Sequence, residues 1–222
     1  MINKGFNIYS QYGEDGIIEH LLSLLKIEMG ECCEFGMSGT KYSNTFNLVK
    51  NKNWYGVYIE REQHHLDTLN QLFKYTQNVK LIEKNVEVFG ENSLDSLLAT
   101  TSINKEFDIL SIDVDGIDYH IWDSLKNYNP KIVIIEINPF YKPGEEYIND
   151  GTNFSSSFTS TINLAISKGY TLVCMTGNLI FVRTDLIHWP ILEPNELFID
   201  DAYMIGTREI GYKRYIKRTN IL

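Results

Sequence analysis

The sequence predicts an α/β fold, a mostly parallel sheet with helices on both faces and an antiparallel hairpin at its end. Three observations predict it. Short apolar runs alternate with segments of helical periodicity along most of the chain. Two of those runs, FDILSID (107–113) and KIVIIEI (131–137), read as strands buried inside a sheet. The last two runs flank Thr176-Gly177-Asn178, a hairpin signal.

Each element follows in order. Ile17, Ile18, Leu21, Leu22, Leu24 and Leu25 recur at helical spacing behind the polar opening 10–15, which predicts a helix over 16–26. ECCEFGMSGT (31–40) is a short apolar stretch running into two glycines, and TFNLVK (45–50) starts a helix. WYGVYIE (54–60), rich in aromatic and β-branched residues, is a second strand, with Leu66, Leu69, Leu72 and Phe73 marking the helix behind it. NVKLIEKNV (78–86) is a weaker third strand, followed by a short helix at Leu94, Leu97 and Leu98. Ile121, Trp122 and Leu125 place a helix between the two buried strands. After a loop over 139–157, a helix around 158–167 leads into GYTLVCMTGNLIFVR (169–183). No repeat or linker interrupts the series. Residues 1–222 therefore read as one domain, with 1–30 an N-terminal helical extension and 186–222 a C-terminal one.

Composition narrows the function. The 222 residues are 43% hydrophobic and 22% charged, which excludes disorder and low-complexity architectures. Twenty Lys and Arg against 29 Asp and Glu leave a net charge of −9, which opposes non-specific attraction to nucleic acid or an anionic membrane and favours a small-molecule partner. Cys32, Cys33 and Cys174 form neither an even disulfide framework nor a metal knuckle, and read as reduced core residues of a cytoplasmic protein. MINKGFNIYSQYGEDG lacks the apolar region of a signal peptide, and no membrane span is expected.

Ligands of open α/β sheets bind beyond the carboxyl ends of the strands, so strand ends carry the candidate chemistry. The first ends in Glu34-Phe35-Gly36-Met37-Ser38-Gly39, where the full dinucleotide fingerprint G-x-G-x-x-G is absent. The second ends in Glu60, 24 residues beyond Gly36, near the spacing of a carboxylate that accepts both ribose hydroxyls; a helix N-terminal acid is the alternative. The fourth ends in SIDVDGIDYH and the fifth in Glu136-Ile137-Asn138, so carboxylates converge. Asp113 and Asp115 fit a general base or oxygen ligands for Mg²⁺ or Mn²⁺, and also the D-x-D letters of a metal-dependent nucleotide-sugar glycosyltransferase. Asp118 reads as a helix cap. His120 is a further catalytic candidate on the helix behind the cluster, whereas His64 and His65 read as surface residues. Tyr9, Gln11 and Tyr12 before the first helix are candidates to close over a cofactor, with a capping turn over Ser10 to Asp15 as the equal alternative, and the loop from Phe140 to Tyr147 has the length of a lid. Arg208, Lys213, Arg214, Lys217 and Arg218 form a basic tail, read as solubilising or as a subunit contact of a homo-oligomer, with a phosphorylated acceptor as the sharper alternative.

These motifs carry a resemblance. SQYGEDG (10–16), EFG with SNT (34–36, 43–45), WYGVYIE (54–60), LSIDVDGIDY (110–119), IEINP (135–139) and GY with NLIFVR (169–170, 178–183) are similar to the FkbM-like family of S-adenosylmethionine-dependent methyltransferases, over about residues 10–185. The resemblance implies a seven-stranded, Rossmann-like class I methyltransferase fold. It implies Glu34, Gly36 and Ser38 around the methionine part of S-adenosylmethionine, Asn44 in the same pocket, Glu60 on the ribose, and Asn85 with Val86 at the adenine. Ser38 departs from the fully glycine-rich first motif. An acidic pocket of Glu34, Glu60 and Asp113 suits a sulfonium, where a pyrophosphate would not. Asp113, Glu136 and Asn138 are similar to the metal ligands of cation-dependent O-methyltransferases, although the metal-free version is the favoured one. The function implied is O-methylation of a sugar, sugar nucleotide or similar phosphorylated precursor in bacterial surface-polysaccharide, capsule or secondary-metabolite biosynthesis. A non-catalytic cofactor-binding protein is the remaining alternative. On this reading Gly36→Val abolishes cofactor binding with modest loss of stability, and Asp113→Asn leaves the melting temperature nearly intact.

Overall fold

A computed structural model describes residues 4–37, 40–151 and 155–199. Helix α1 (Glu14–Leu25) precedes β1 (Glu31–Phe35), after which strands and helices alternate: α2 (Phe46–Lys52), β2 (Tyr55–Glu60), α3 (Gln63–Leu72), β3 (Val79–Glu83), α4 (Leu94–Leu98), β4 (Ile109–Ile112), α5 (Asp118–Ser124) and β5 (Ile132–Glu136). Helix α6 (Phe158–Ser167), the hairpin β6 (Tyr170–Met175) and β7 (Asn178–Arg183), and the single turn α7 (Pro194–Leu197) follow.

The seven strands form one sheet in the order β3-β2-β1-β4-β5-β7-β6. The first five are parallel, and β7 is antiparallel to both of its neighbours. The reason is local. Helical crossovers join the parallel strands, whereas only Thr176 and Gly177 separate β6 from β7, and so short a link permits only an antiparallel return. This is the α/β architecture expected, a seven-stranded Rossmann-like sheet with a terminal hairpin.

Both faces are covered, so inner strands are buried throughout: every residue of β4 and the first four of β5 are. Phe35, Phe107, Trp122, Phe158 and Phe181 fill one face, while Ile17, Leu21, Phe46, Trp54 and Tyr58 fill the other. β3 is at the edge, only partly buried, and leaves the sheet at Glu83 rather than at residue 86 as the sequence predicts. With no partner on its outer side, it has a weak apolar pattern and nothing to hold 84–86 in the ladder beyond the Lys84 N–H bond to the Glu60 carbonyl (3.2 Å).

The chain travels outward from β1 to β3, crosses back, and continues outward from β4 on the other side. The order therefore reverses between β1 and β4, and a crevice opens at their carboxyl ends.

The segment before α1 is held by the first turn of that helix. Asp15 Oδ2 accepts the backbone N–H groups of Ile8 (2.7 Å), Tyr9 (2.8 Å) and Ser10 (2.8 Å) together with the Ser10 hydroxyl (2.8 Å). The predicted polar opening is thus a hydrogen-bonded turn closed by one carboxylate, with α1 starting at Glu14 instead of Gly16.

Candidate active site

At the reversal, β1 and β4 touch through Gly36. Its φ is +83°, and a Cβ there would fall on the Asp113 carbonyl. Glycine is required by backbone conformation and by packing together. The expectation that Gly36→Val costs little stability is corrected accordingly, since the side chain would have to displace the end of β4.

Beside this contact lies a cavity of about 290 Å³. Its walls come from the ends of four parallel strands: Gly36 and Met37 after β1, Glu60 to Glu62 with His65 after β2, Lys84 to Val86 after β3, and Asp113 to Asp115 with Ile117 after β4. Five of the residues singled out in the sequence as cofactor contacts, Gly36, Glu60, Asn85, Val86 and Asp113, share this cavity. Glu60 is buried at its rim, accepting the Glu62 N–H at Oε1 (2.8 Å) and facing His65 Nδ1 at Oε2 (3.3 Å).

Glu34 and Asn44 are used differently. Glu34 is buried behind the cavity wall, where its carboxylate accepts Ser43 Oγ, the backbone N–H groups of Asn44 (2.8 Å) and Thr45 (3.2 Å), Thr45 Oγ1 (2.7 Å) and Ser111 Oγ (3.2 Å). Burial raises its pKa, and these bonds oppose the rise. Asn44 donates its side-chain amide to Ser111 Oγ (3.1 Å). Both residues pin the turn entering α2 to β1 and β4, and neither lines the cavity. Ser38 lies outside the described residues.

The acidic cluster is assembled by one turn. The Asp118 carboxylate accepts the backbone N–H groups of Val114 (2.8 Å) and Gly116 (2.9 Å) and the Ser155 hydroxyl (3.0 Å). It closes the 114–118 loop rather than capping α5, whose N-cap is Ile117 and carries no side-chain cap bond, which corrects the cap reading of Asp118. The loop holds Asp115 at φ +54°, a left-handed conformation uncommon outside glycine and found disproportionately at functional sites. Among the described residues, oxygens of Asp113, Asp115 and Glu136 all lie within 4.8 Å of one another. Burial, then the neighbouring charges of Glu136, Asp118, Asp115 and Glu34, push the Asp113 carboxyl well above the usual range. Asn138, named with them in the sequence, accepts the Phe140 N–H at its Oδ1 (3.1 Å).

His120 is turned from the cavity, its Nε2 2.6 Å from the Asn149 carbonyl. Tyr12 stands nearer the cluster. Its ring occupies the space that a side chain at Gly177 would need, and burial, then the charges of Glu14, Glu136 and Asp113, raise its pKa. The loop read as a lid is laced down on both flanks. Tyr147 N donates to Ser157 Oγ (3.0 Å) and Ser160 Oγ (3.1 Å), Asn149 N to Ser156 Oγ (3.0 Å), and Asn138 N to the Ser156 carbonyl (2.9 Å). The basic stretch 208–218 is outside the described residues.

Sequence reasoning missed His65, which lines the cavity instead of the surface. The available signal was its place in the first turn of the helix that follows Glu60.

No protein-family model and no curated protein matches the chain. Solved structures do. TrmK from M. capricolum in complex with S-adenosyl-homocysteine aligns at 16% identity, over 74% of this chain and 67% of that one, with a TM-score of 0.43. The N-terminal domain of EvdMO1, solved in the presence of S-adenosyl-homocysteine and D-fucose, aligns at 10% identity over 81% and 89%, with a TM-score of 0.48. A S-adenosylmethionine-dependent methyltransferase from Clostridium acetobutylicum aligns at 13% identity over 76% and 89%, with a TM-score of 0.46. These are likenesses of fold, and what this site can do is read from its own residues.

Proposed function

We propose that the protein is an S-adenosylmethionine-dependent O-methyltransferase of the FkbM-like type, acting on a sugar, sugar nucleotide or similar phosphorylated precursor of bacterial surface polysaccharides or secondary metabolites. The observation that carries the reading is the cavity at the reversal of strand order, because it draws Gly36, Glu60, Asn85 with Val86, and Asp113 from four successive strand ends.

The donor set suits an adenosine bearing a cationic tail. Ile59, Val86, Val114 and Ile117 supply apolar wall for a base, Glu60 supplies a buried carboxylate for a ribose diol, and Asp113 and Asp115 supply carboxyl groups after β4. S-adenosylmethionine, when bound, supplies an electrophilic methyl group on a sulfonium. The residues of the chain then have two tasks. Glu60 and the cavity walls hold the donor in place, and alignment of donor and acceptor can contribute roughly 7 to 11 kcal/mol of the barrier. Asp113, when ionised, takes the acceptor hydroxyl proton at a carboxylate oxygen, and the burial and like charge that raise its pKa strengthen its hold on that proton. Asp115 and Glu136 sustain that pKa through like charge. Asp113, Asp115 and Glu136 are also the residues that would hold a divalent cation, whose chemistry would be to lower the pKa of the acceptor hydroxyl. The metal-free version remains the reading.

The test is transfer of a labelled methyl group to a panel of sugars and sugar nucleotides, with and without EDTA. Transfer that survives EDTA is expected. Loss restored by Mg²⁺ or Mn²⁺ would move the role of Asp113 to metal ligation, and hydrolysis of a nucleotide sugar without methyl transfer would replace the reading with glycosyl transfer.

A further inference from the structure

His65 stands at the cavity wall beside Glu60. It belongs to the first turn of α3, its backbone N–H bonded to the Glu62 carbonyl (3.0 Å), and its ring packs against that of His64 with centroids 3.9 Å apart. The ring lines the cavity while its Nδ1 faces Glu60 Oε2 at 3.3 Å. Glu60 Oε1 already accepts the Glu62 N–H at 2.8 Å. Each oxygen of this carboxylate is thus held by its own partner. That matters because the terminal torsion of a glutamate is broad, and one anchored oxygen leaves the carboxylate plane free to rock. Two anchors fix it. A carboxylate offers about four lone-pair sites, so two remain for a ligand in a set orientation.

Resting on the S-adenosylmethionine reading above, we infer that His65 is a positioning residue for the cofactor: its Nδ1–H orients the Glu60 carboxylate so that the free lone pairs meet both ribose hydroxyls. The same bond selects the His65 tautomer, because Nδ1 must carry the proton in order to donate. The arrangement favours ligands with a vicinal diol and makes His65 a determinant of nucleoside specificity without touching the ribose itself.

The experiment is calorimetric titration of wild type, His65→Ala and His65→Asn with S-adenosylhomocysteine and with its 2′,3′-dideoxy analogue. For His65→Ala, affinity for S-adenosylhomocysteine is expected to fall about tenfold, the scale of one lost hydrogen bond to a charged group, while affinity for the dideoxy analogue changes less than about twofold. Asparagine places an amide donor near the position of Nδ1, and His65→Asn is expected to recover most of the loss. Equal losses for both ligands, or His65→Ala binding S-adenosylhomocysteine as wild type does, would overturn the inference while leaving the methyltransferase reading in place. Wild type that binds neither ligand would remove that reading and this inference with it.

Discussion

Asp113 sits where activity and stability oppose each other. The pKa of its carboxyl is raised by burial and by four neighbouring carboxylates, so the folded protein holds a proton there to higher pH than the unfolded chain, which releases it near pH 4. The sign follows. For an aspartate raised in the folded state, stability falls as pH climbs from the unfolded value towards the folded one. Asp113→Asn removes that charge, and its melting temperature at pH 7 is expected to exceed that of wild type, with the difference closing as pH is lowered towards 4. This replaces the expectation of an unchanged melting temperature, which the sequence suggested because it showed Asp113 beside other acids without showing how deeply it is buried. Turnover of the same variant is expected to drop by roughly 10²- to 10⁴-fold, the loss of a general base. A melting profile across pH, paired with initial rates, checks both. Glu60→Ala is expected to weaken S-adenosylhomocysteine by about 1.5 to 3 kcal/mol, measured by calorimetry, through loss of charge-assisted ribose bonds.

The elements place these residues, and the turns between them carry the fine control. Gly36 lets β1 pass against the end of β4, so Gly36→Ala is expected to cost more than the roughly 1 kcal/mol of an alanine at positive φ, because its Cβ also meets the Asp113 carbonyl. Urea denaturation reads this directly. Glu34 organises the start of α2 through its hydrogen bonds to 43–45, and Glu34→Ala is expected to destabilise the fold by about 2 to 4 kcal/mol, as a broken buried network does. An unchanged denaturation midpoint would show that those bonds contribute little. Most of the elements were legible in the sequence. β4, β5 and the hairpin announce themselves by apolar runs, because a strand inside a two-faced sheet has no polar side to show. The edge strand β3 was legible only in part. Side-chain direction was not legible at all: Asn138 turns to the Phe140 N–H, His120 to the Asn149 carbonyl, and His65 inward to Glu60, each decided by a hydrogen bond that the spacing of letters does not encode.

For the molecule as a whole, strand order decides function. β1 and β4 are neighbours although five elements, α2 to α4, separate them along the chain, and their adjacency brings Gly36 against Asp113 beside the cavity. Glu60 after β2 and Asp113 with Asp115 after β4 both line that cavity. Among the described residues, no helix is long and apolar enough to cross a membrane. The most direct measurement is calorimetric titration of the wild-type protein with S-adenosylhomocysteine, set beside the Glu60→Ala variant and a uridine diphosphate sugar. The account requires one S-adenosylhomocysteine bound per chain, weakened binding in the variant, and no competition from the nucleotide sugar. Saturable binding of the nucleotide sugar with none of S-adenosylhomocysteine would contradict it.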